Sequence, residues 1–160
     1  MYNLSPSAQK VQSALNELGF SYQVMELQQQ TRSAAEAAEA VGCTLAQIAK
    51  SIVFRSPQKP ILVIASGVNR VDESKLSALV SESVKKADPE YVREQTGFVI
   101  GGVPPVGHVK KLDILIDEDL LKYEEIWAAA GTPYAVFKLA SYDLPRMTGG
   151  RIVSIKYTSA

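Results

Sequence analysis

The chain contains one cysteine, Cys43, so no disulfide can form within it. It also contains one histidine, His108. A single Cys and a single His argue against a metal site built wholly from nitrogen and sulfur ligands. Neither sign of charge is in excess, since Lys+Arg and Asp+Glu both number 17. This argues against gripping nucleic acid by bulk electrostatics, though not against a small basic patch or a partner that supplies the grip. No apolar run approaches the ~18 residues that span a bilayer. The first residues lack a basic patch followed by an apolar core, so no signal peptide is expected and a cytoplasmic protein is the default. Repeats, long linkers and breaks in composition are missing too. One domain over residues 1–160 is the expectation, and a chain of that length buries roughly 70% of its unfolded surface without staples.

What is present reads as mixed helix and strand. Ser5-Pro6 opens a helix with a capping Ser and a Pro at the first helical position, and Val11, Leu15 and Leu18 share one face before Gly19. Tyr22 to Leu27 suggests a short strand. Ser33 and Glu36 fit a capping box for an alanine-rich helix to Val41, and Thr44 with Gln47 repeats the signal for a short helix. Ser51 to Phe54 and Ile61 to Ala65 are β-branched, apolar runs around a Ser-Pro-Gln-Lys-Pro turn, hence a hairpin. Asp72 and Asp88-Pro89 start two further helices, the second stopped by Gly97. Leu112 to Asp117 reads as a strand, with a helical turn over Glu118 to Tyr123. Glu124 to Ala130 fits a helix by its alanines and a strand by its alternation. Strand is favoured, because Tyr134 to Phe137 follows a Gly-Thr-Pro turn. Ser141 to Met147 is a short helix and Ile152 to Ile155 a last strand. The pattern lacks strict βαβ alternation, which predicts an α+β fold with a mostly central sheet.

Chemistry concentrates in Gly97 to His108, which reads Gly-Phe-Val-Ile-Gly-Gly-Val-Pro-Pro-Val-Gly-His. Taken alone it is a buried strand ending in a structural turn. It is neither a Walker loop, lacking Gly-Lys-Ser/Thr, nor a Gly-x-Gly-x-x-Gly fingerprint. What remains is a rigid loop of glycine and proline that offers backbone N–H groups, the material of an oxyanion hole or carbonyl clamp. Pro104 and Pro105 donate nothing, so donors would come from Gly101, Gly102, Val103, Val106 or Gly107. Lys50 precedes an apolar strand. Such lysines are ordinarily solvated, but in a cleft one holds a phosphate or carbonyl, or acts as a base if burial lowers its pKa. The sequence leaves those roles open. His108 has no Ser-His-Asp pattern to recruit it, and Cys43 reads as structural. Lys85-Lys86 and Lys110-Lys111 read as solvated faces, with contact to an RNA backbone the lesser alternative.

Several stretches, in order, resemble one family. They are Thr31-Arg32-Ser33 with Glu36-Ala37-Ala38 and Gly42, Gln47 to Phe54, Gly67 to Asp72 with Lys75-Leu76, and Thr96 to His108. This pattern is similar to the YbaK family, the aminoacyl-tRNA synthetase-associated domain, which is related to the editing insertion of bacterial prolyl-tRNA synthetase. The resemblance covers about Ser7 to Ile155. It implies a strongly curved, partly barrel-like mixed sheet flanked by helices, and supports a strand over Glu124 to Ala130. It implies a freestanding trans-editing deacylase that hydrolyses the ester of a mischarged tRNA, with no cofactor or metal. Tolerance for a small residue such as alanine or cysteine on tRNA(Pro) is the expected specificity. The family's invariant lysine falls on Lys50, and its Gly-x-x-x-Pro loop on Gly101 to Pro105. On that basis Lys50, Gly101 and Gly102 are the expected catalytic residues. Thr31, Val103, Pro104, Pro105, Gly107 and His108 are expected to bind substrate. Thr31 and His108 match positions that only some members share. No protein nucleophile is evident, so water or the terminal 2′-hydroxyl would attack. The expected partners are the 3′ end of an aminoacyl-tRNA and a prolyl-tRNA synthetase or elongation factor, with no membrane. Two alternatives stay open: a non-catalytic tRNA- or synthetase-binding module of the same fold, and a hydrolase of some other small ester.

Overall fold

The computed structural model describes residues 4–31 and 33–158. Arg32, part of the first matching stretch, and the first three residues, in which no signal was expected, lie outside the described residues. Helix α1 (Pro6–Glu17) leads to β1 (Met25–Glu26), and α2 (Ala34–Val41) to a 3-10 turn (Leu45–Gln47). That turn carries the expected capping box between Thr44 and Gln47. It runs straight into β2 (Ile48–Arg55), which pairs with β3 (Pro60–Ser66) from Ala49 to Arg55. Then come α3 (Glu73–Val80), β4 (Lys85–Lys86), α4 (Pro89–Thr96) and β5 (Asp113–Asp117). A 3-10 turn (Glu118–Lys122) precedes β6 (Glu125–Ala129), β7 (Ala135–Ala140), α5 (Asp143–Thr148) and β8 (Arg151–Val153).

The strands form one mixed sheet in the order β1-β7-β6-β2-β3-β5-β8, with β4 added to β2. The sheet is open, not closed into a barrel. The hairpins β2–β3 and β6–β7 are antiparallel, whereas β2–β6, β3–β5 and β5–β8 are parallel. Strand β3 explains its own sequence. Ile61 to Ala65 are fully buried because the sheet is covered on both faces, so the run is continuously apolar and does not alternate. One face packs Leu62 and Ile64 with Val11 and Leu15 of α1 and Leu144 of α5. The other packs Ile61 and Val63 against Leu76 of α3. Burying each such side chain is worth ~1.5–3 kcal/mol.

The local start signals hold at Ser33, Asp72 and Asp88, whose side chains accept from the first helical N–H groups. Four expectations change. Ser5 has the extended backbone of a cap, but its side chain makes no capping bond. Leu18 is 50% exposed, because the helix ends before its face returns to the core. The strand expected over Tyr22 to Leu27 is reduced to Met25–Glu26. Phe98 to Ile100 is not a strand: it follows the end of α4, and the Thr96 hydroxyl accepts from the Phe98 N–H and donates to the Val92 carbonyl, tying the chain into a turn.

Candidate functional site

A cavity of about 140 Å³ opens between α2, β2, β6 and the glycine–proline loop. Its walls are small: Ala34 and Ala37 on α2, Ala128 on β6 and Ala135 on β7. The alanine-rich helix thus leaves room that larger side chains would fill. Trp127 closes one side.

Four of the expected residues meet here: Thr31, Lys50, Gly101 and Val103. Lys50 lies inside β2, not ahead of it, because the strand begins at Ile48. Its ammonium reaches the Gly67 carbonyl at 3.5 Å. Burial lowers its pKa below the ordinary lysine value; the nearby Lys86 lowers it further and Asp117 opposes both. Asp117 also shapes the turn that carries Gly67. Its carboxylate accepts from the Ser66 N–H at 3.0 Å, the Asn69 amide at 2.8 Å and the Asp119 N–H at 2.9 Å. Asp119 in turn pairs with Lys156 and Lys122, and with Asn69 these hold its carboxyl well below the usual carboxylate range.

The loop is stapled to the β6–β7 turn. The Gly131 N–H donates to the Gly102 carbonyl at 2.9 Å. A Cβ on Gly102 would stand 2.7 Å from Thr132 Cα, so only glycine lets the two backbones meet. Gly101 has φ +91, a conformation that side chains rarely adopt. Thr31 secures the same turn, donating from its N–H at 2.9 Å and its hydroxyl at 2.8 Å to the Pro133 carbonyl.

Counting donors separates the loop residues. The Gly102 N–H is spent on the Val99 carbonyl at 2.9 Å. The N–H groups of Gly101 and Val103 make no hydrogen bond among the described residues, and both residues line the cavity. The Gly102 N–H is thus already bonded within the loop, while its missing side chain lets the loop meet the β6–β7 turn.

His108 stands apart. With Pro105 and Gly107 it borders a different, shallow groove beside Lys110 and Lys111. Its Nε2 lies 2.6 Å from the Pro104 carbonyl, which can only accept, so that nitrogen carries the proton. Burial lowers the His108 pKa and the bond to Pro104 partly opposes this. Pro104 and Pro105 are buried frame residues. Among the described residues no group of three or more His, Cys, Asp or Glu is placed to hold a metal, and no helix is long and apolar enough to cross a membrane.

Sequence reasoning passed over Ser51, Trp127 and Asp117. For Ser51 a signal existed, as a lone hydroxyl beside Lys50 in an otherwise apolar strand. Trp127 and Asp117 reach their places through strand pairings that no local pattern reveals.

A small-walled cavity with an ammonium on one side and unbonded backbone donors on another suits a compact carbonyl compound. The chain belongs to the aminoacyl-tRNA editing domain family, whose pattern matches residues 28–147. It is thereby related to the editing insertion of prolyl-tRNA synthetases. A solved structure described as a candidate trans-editing enzyme for prolyl-tRNA synthetase superposes with a TM-score of 0.94 at 48% identity, covering 98% of this chain and 100% of that one. The uncharacterized protein YwhH of Bacillus subtilis is 28% identical over 81% of this chain and 83% of its own length. A candidate Cys-tRNA(Pro)/Cys-tRNA(Cys) deacylase, EbsC of Enterococcus faecalis, is 26% identical over 77% of this chain and 76% of its own. The proline–tRNA ligase of Brachyspira hyodysenteriae is 36% identical over 44% of this chain, which spans only 13% of that enzyme.

Proposed function

We propose that this chain is a trans-acting deacylase that hydrolyses the ester of mischarged tRNA, with tRNA(Pro) bearing alanine or cysteine as the favoured substrate. One observation carries the reading. Lys50, Gly101 and Val103 line the same alanine-walled cavity, and the N–H groups of Gly101 and Val103 make no hydrogen bond among the described residues. An ester carbonyl seated between them would have two backbone donors for its developing oxyanion, and losing one such donor typically costs ~2.7–4 kcal/mol. Lys50 would orient the ester or the terminal ribose as an ammonium. Water, which the neighbouring ribose 2′-hydroxyl can position, attacks the carbonyl carbon; the ester C–O bond to the ribose breaks, the water oxygen stays with the acid, and the proton it gives up is taken by the leaving ribose oxygen. The family relationship and the names of the relatives support this chemistry. The small walls favour a small side chain. Discrimination among such groups is worth only ~1–3 kcal/mol per methylene.

Zero net charge fits weak intrinsic affinity for tRNA, with a synthetase or an elongation factor supplying the grip in the cytoplasm. The deciding experiment offers a panel of aminoacyl-tRNAs to the wild type and to Lys50→Ala. Deacylation of a small aminoacyl-tRNA(Pro), lost in the variant, is the expected result. No deacylation of any member, with tRNA or synthetase still bound, would establish a binding module instead. Hydrolysis of free aminoacyl esters without tRNA would point to a small-ester hydrolase.

A further inference from the structure

Among the residues that line the cavity, one has a buried polar atom without a partner. The Ser51 hydroxyl oxygen is fully buried and makes no hydrogen bond. Among the described residues only the Ser5 side chain shares this condition, and Ser5 stands at the start of α1. Burying a hydroxyl unbonded costs free energy, so each case in a native fold calls for a reason.

The backbone of Ser51 is equally bare. One edge of β2 is paired to β3 from Ala49 to Arg55. On the other edge the pairing with β6 ends at Ala49 opposite Ala128. The pairing with β4 begins where the Ala87 N–H donates to the Val53 carbonyl. Alternation along the strand makes Ser51 the residue between them whose N–H and C=O face this edge. No strand stands opposite it. The break borders two cavities. Ser51 and Val103 line the 140 Å³ cavity and also a second one of about 210 Å³ that extends toward Lys86 and Ile100.

An aminoacyl ester brings its α-amino group along with its carbonyl, two bonds from the carbonyl carbon. A carbonyl at Gly101 and Val103 would therefore bury that amine in the same cavity. Backbone N–H groups and the Lys50 ammonium only donate, and cannot satisfy the N–H bonds of an amine. The Thr31 hydroxyl donates to the Pro133 carbonyl and the Ser33 hydroxyl accepts from the Glu36 N–H, so both keep acceptor capacity but each is already bonded to the protein. Ser51 offers two uncommitted acceptors, its hydroxyl and its carbonyl. A hydroxyl also donates, so it serves the amine in either protonation state.

We propose that Ser51 holds the α-amino group of the substrate at the bare edge of β2, so that the site selects free aminoacyl esters over N-acylated ones. This assignment rests on the deacylase reading. It gives the site a chemical means of sparing peptidyl-tRNA, whose α-nitrogen is an amide.

The test takes the best aminoacyl-tRNA of the panel and the same tRNA esterified with the α-deaminated acid. Both are hydrolysed by the wild type, Ser51→Ala and Ser51→Thr. Ser51→Ala is expected to lose roughly 10- to 100-fold in kcat/KM on the aminoacyl ester, the range for a hydrogen bond to a charged group. On the deaminated ester it should change less than about threefold. Ser51→Thr should restore the ratio. Because the hydroxyl has no partner in the free protein, Ser51→Ala should unfold at an unchanged or higher temperature. Equal losses on both esters, or none on either, overturn the assignment and leave the deacylase reading standing. A wild type that hydrolyses no aminoacyl-tRNA overturns both.

Discussion

Gly102 and Thr132 meet backbone to backbone: a Cβ on Gly102 would lie 2.7 Å from Thr132 Cα and 2.8 Å from its N. Neither atom belongs to a flexible side chain, so the contact has no cheap relief. Gly102→Ala must push the loop off the β6–β7 turn. Overpacking of this kind costs ~1–3 kcal/mol, which lowers Tm by about 2–4 °C per kcal/mol at this size. Thermal unfolding and a deacylation assay on one preparation should show both losses.

Gly101 differs from its neighbour. A Cβ there would meet only Pro133, at 3.8 Å, so the obstacle is the φ of +91 and not space. Gly101→Ala is expected to cost about 1–3 kcal/mol in backbone strain or to re-aim the N–H. Deacylation should fall further in Gly101→Ala than in His108→Ala, since His108 does not line the cavity. The reverse order in kcat/KM would place the chemistry at the wrong end of the loop.

Lys50 carries a cost that its proposed role explains. Its folded pKa is depressed by burial, then by Lys86. The unfolded chain therefore binds more protons between the two values, and stability rises with pH through that window. Below the lowered pKa the penalty is fully present. Lys50→Met removes it while keeping much of the side-chain volume, so Tm should rise at pH 7 while deacylation is abolished. The gain should shrink as pH climbs through the lowered pKa, and melting curves at several pH values check this.

His108 obeys the same sign at a lower pH. Its folded pKa lies below 6.5, so its contribution is present above the unfolded value and is lost as pH falls through it. The Tm advantage of wild type over His108→Asn should begin to narrow as pH falls past about 7.5 and go on narrowing until the lowered folded pKa is passed. The acid limb of the deacylation profile should not move with that substitution.

What was legible in the sequence was what is local. The β2–β3 hairpin shows in two apolar runs around a proline turn, and the Ser33, Asp72 and Asp88 caps show in side chains that bond within three residues. Lys50 and the Gly101 loop stood out as motifs. The division of labour within the loop did not, because it depends on distant partners. Gly102 has to lack a side chain only because Thr132 abuts it, and His108 leaves the cavity only because its ring turns onto Pro104. Ser51 looked like one more strand residue until the edges of β2 were known. Lys85-Lys86 read as a solvated face and is exposed, yet it also forms β4, and only that pairing defines the far side of the break.

The parallel pairing of β2 with β6 has a consequence for synthesis. The cavity draws its walls from Thr31 through Val136, and its floor closes only when Ala128 comes opposite Ala49. Contacts of such long sequence separation form late and slowly. A nascent chain that has not yet released β6 and β7 from the ribosome therefore has Lys50 but no pocket around it.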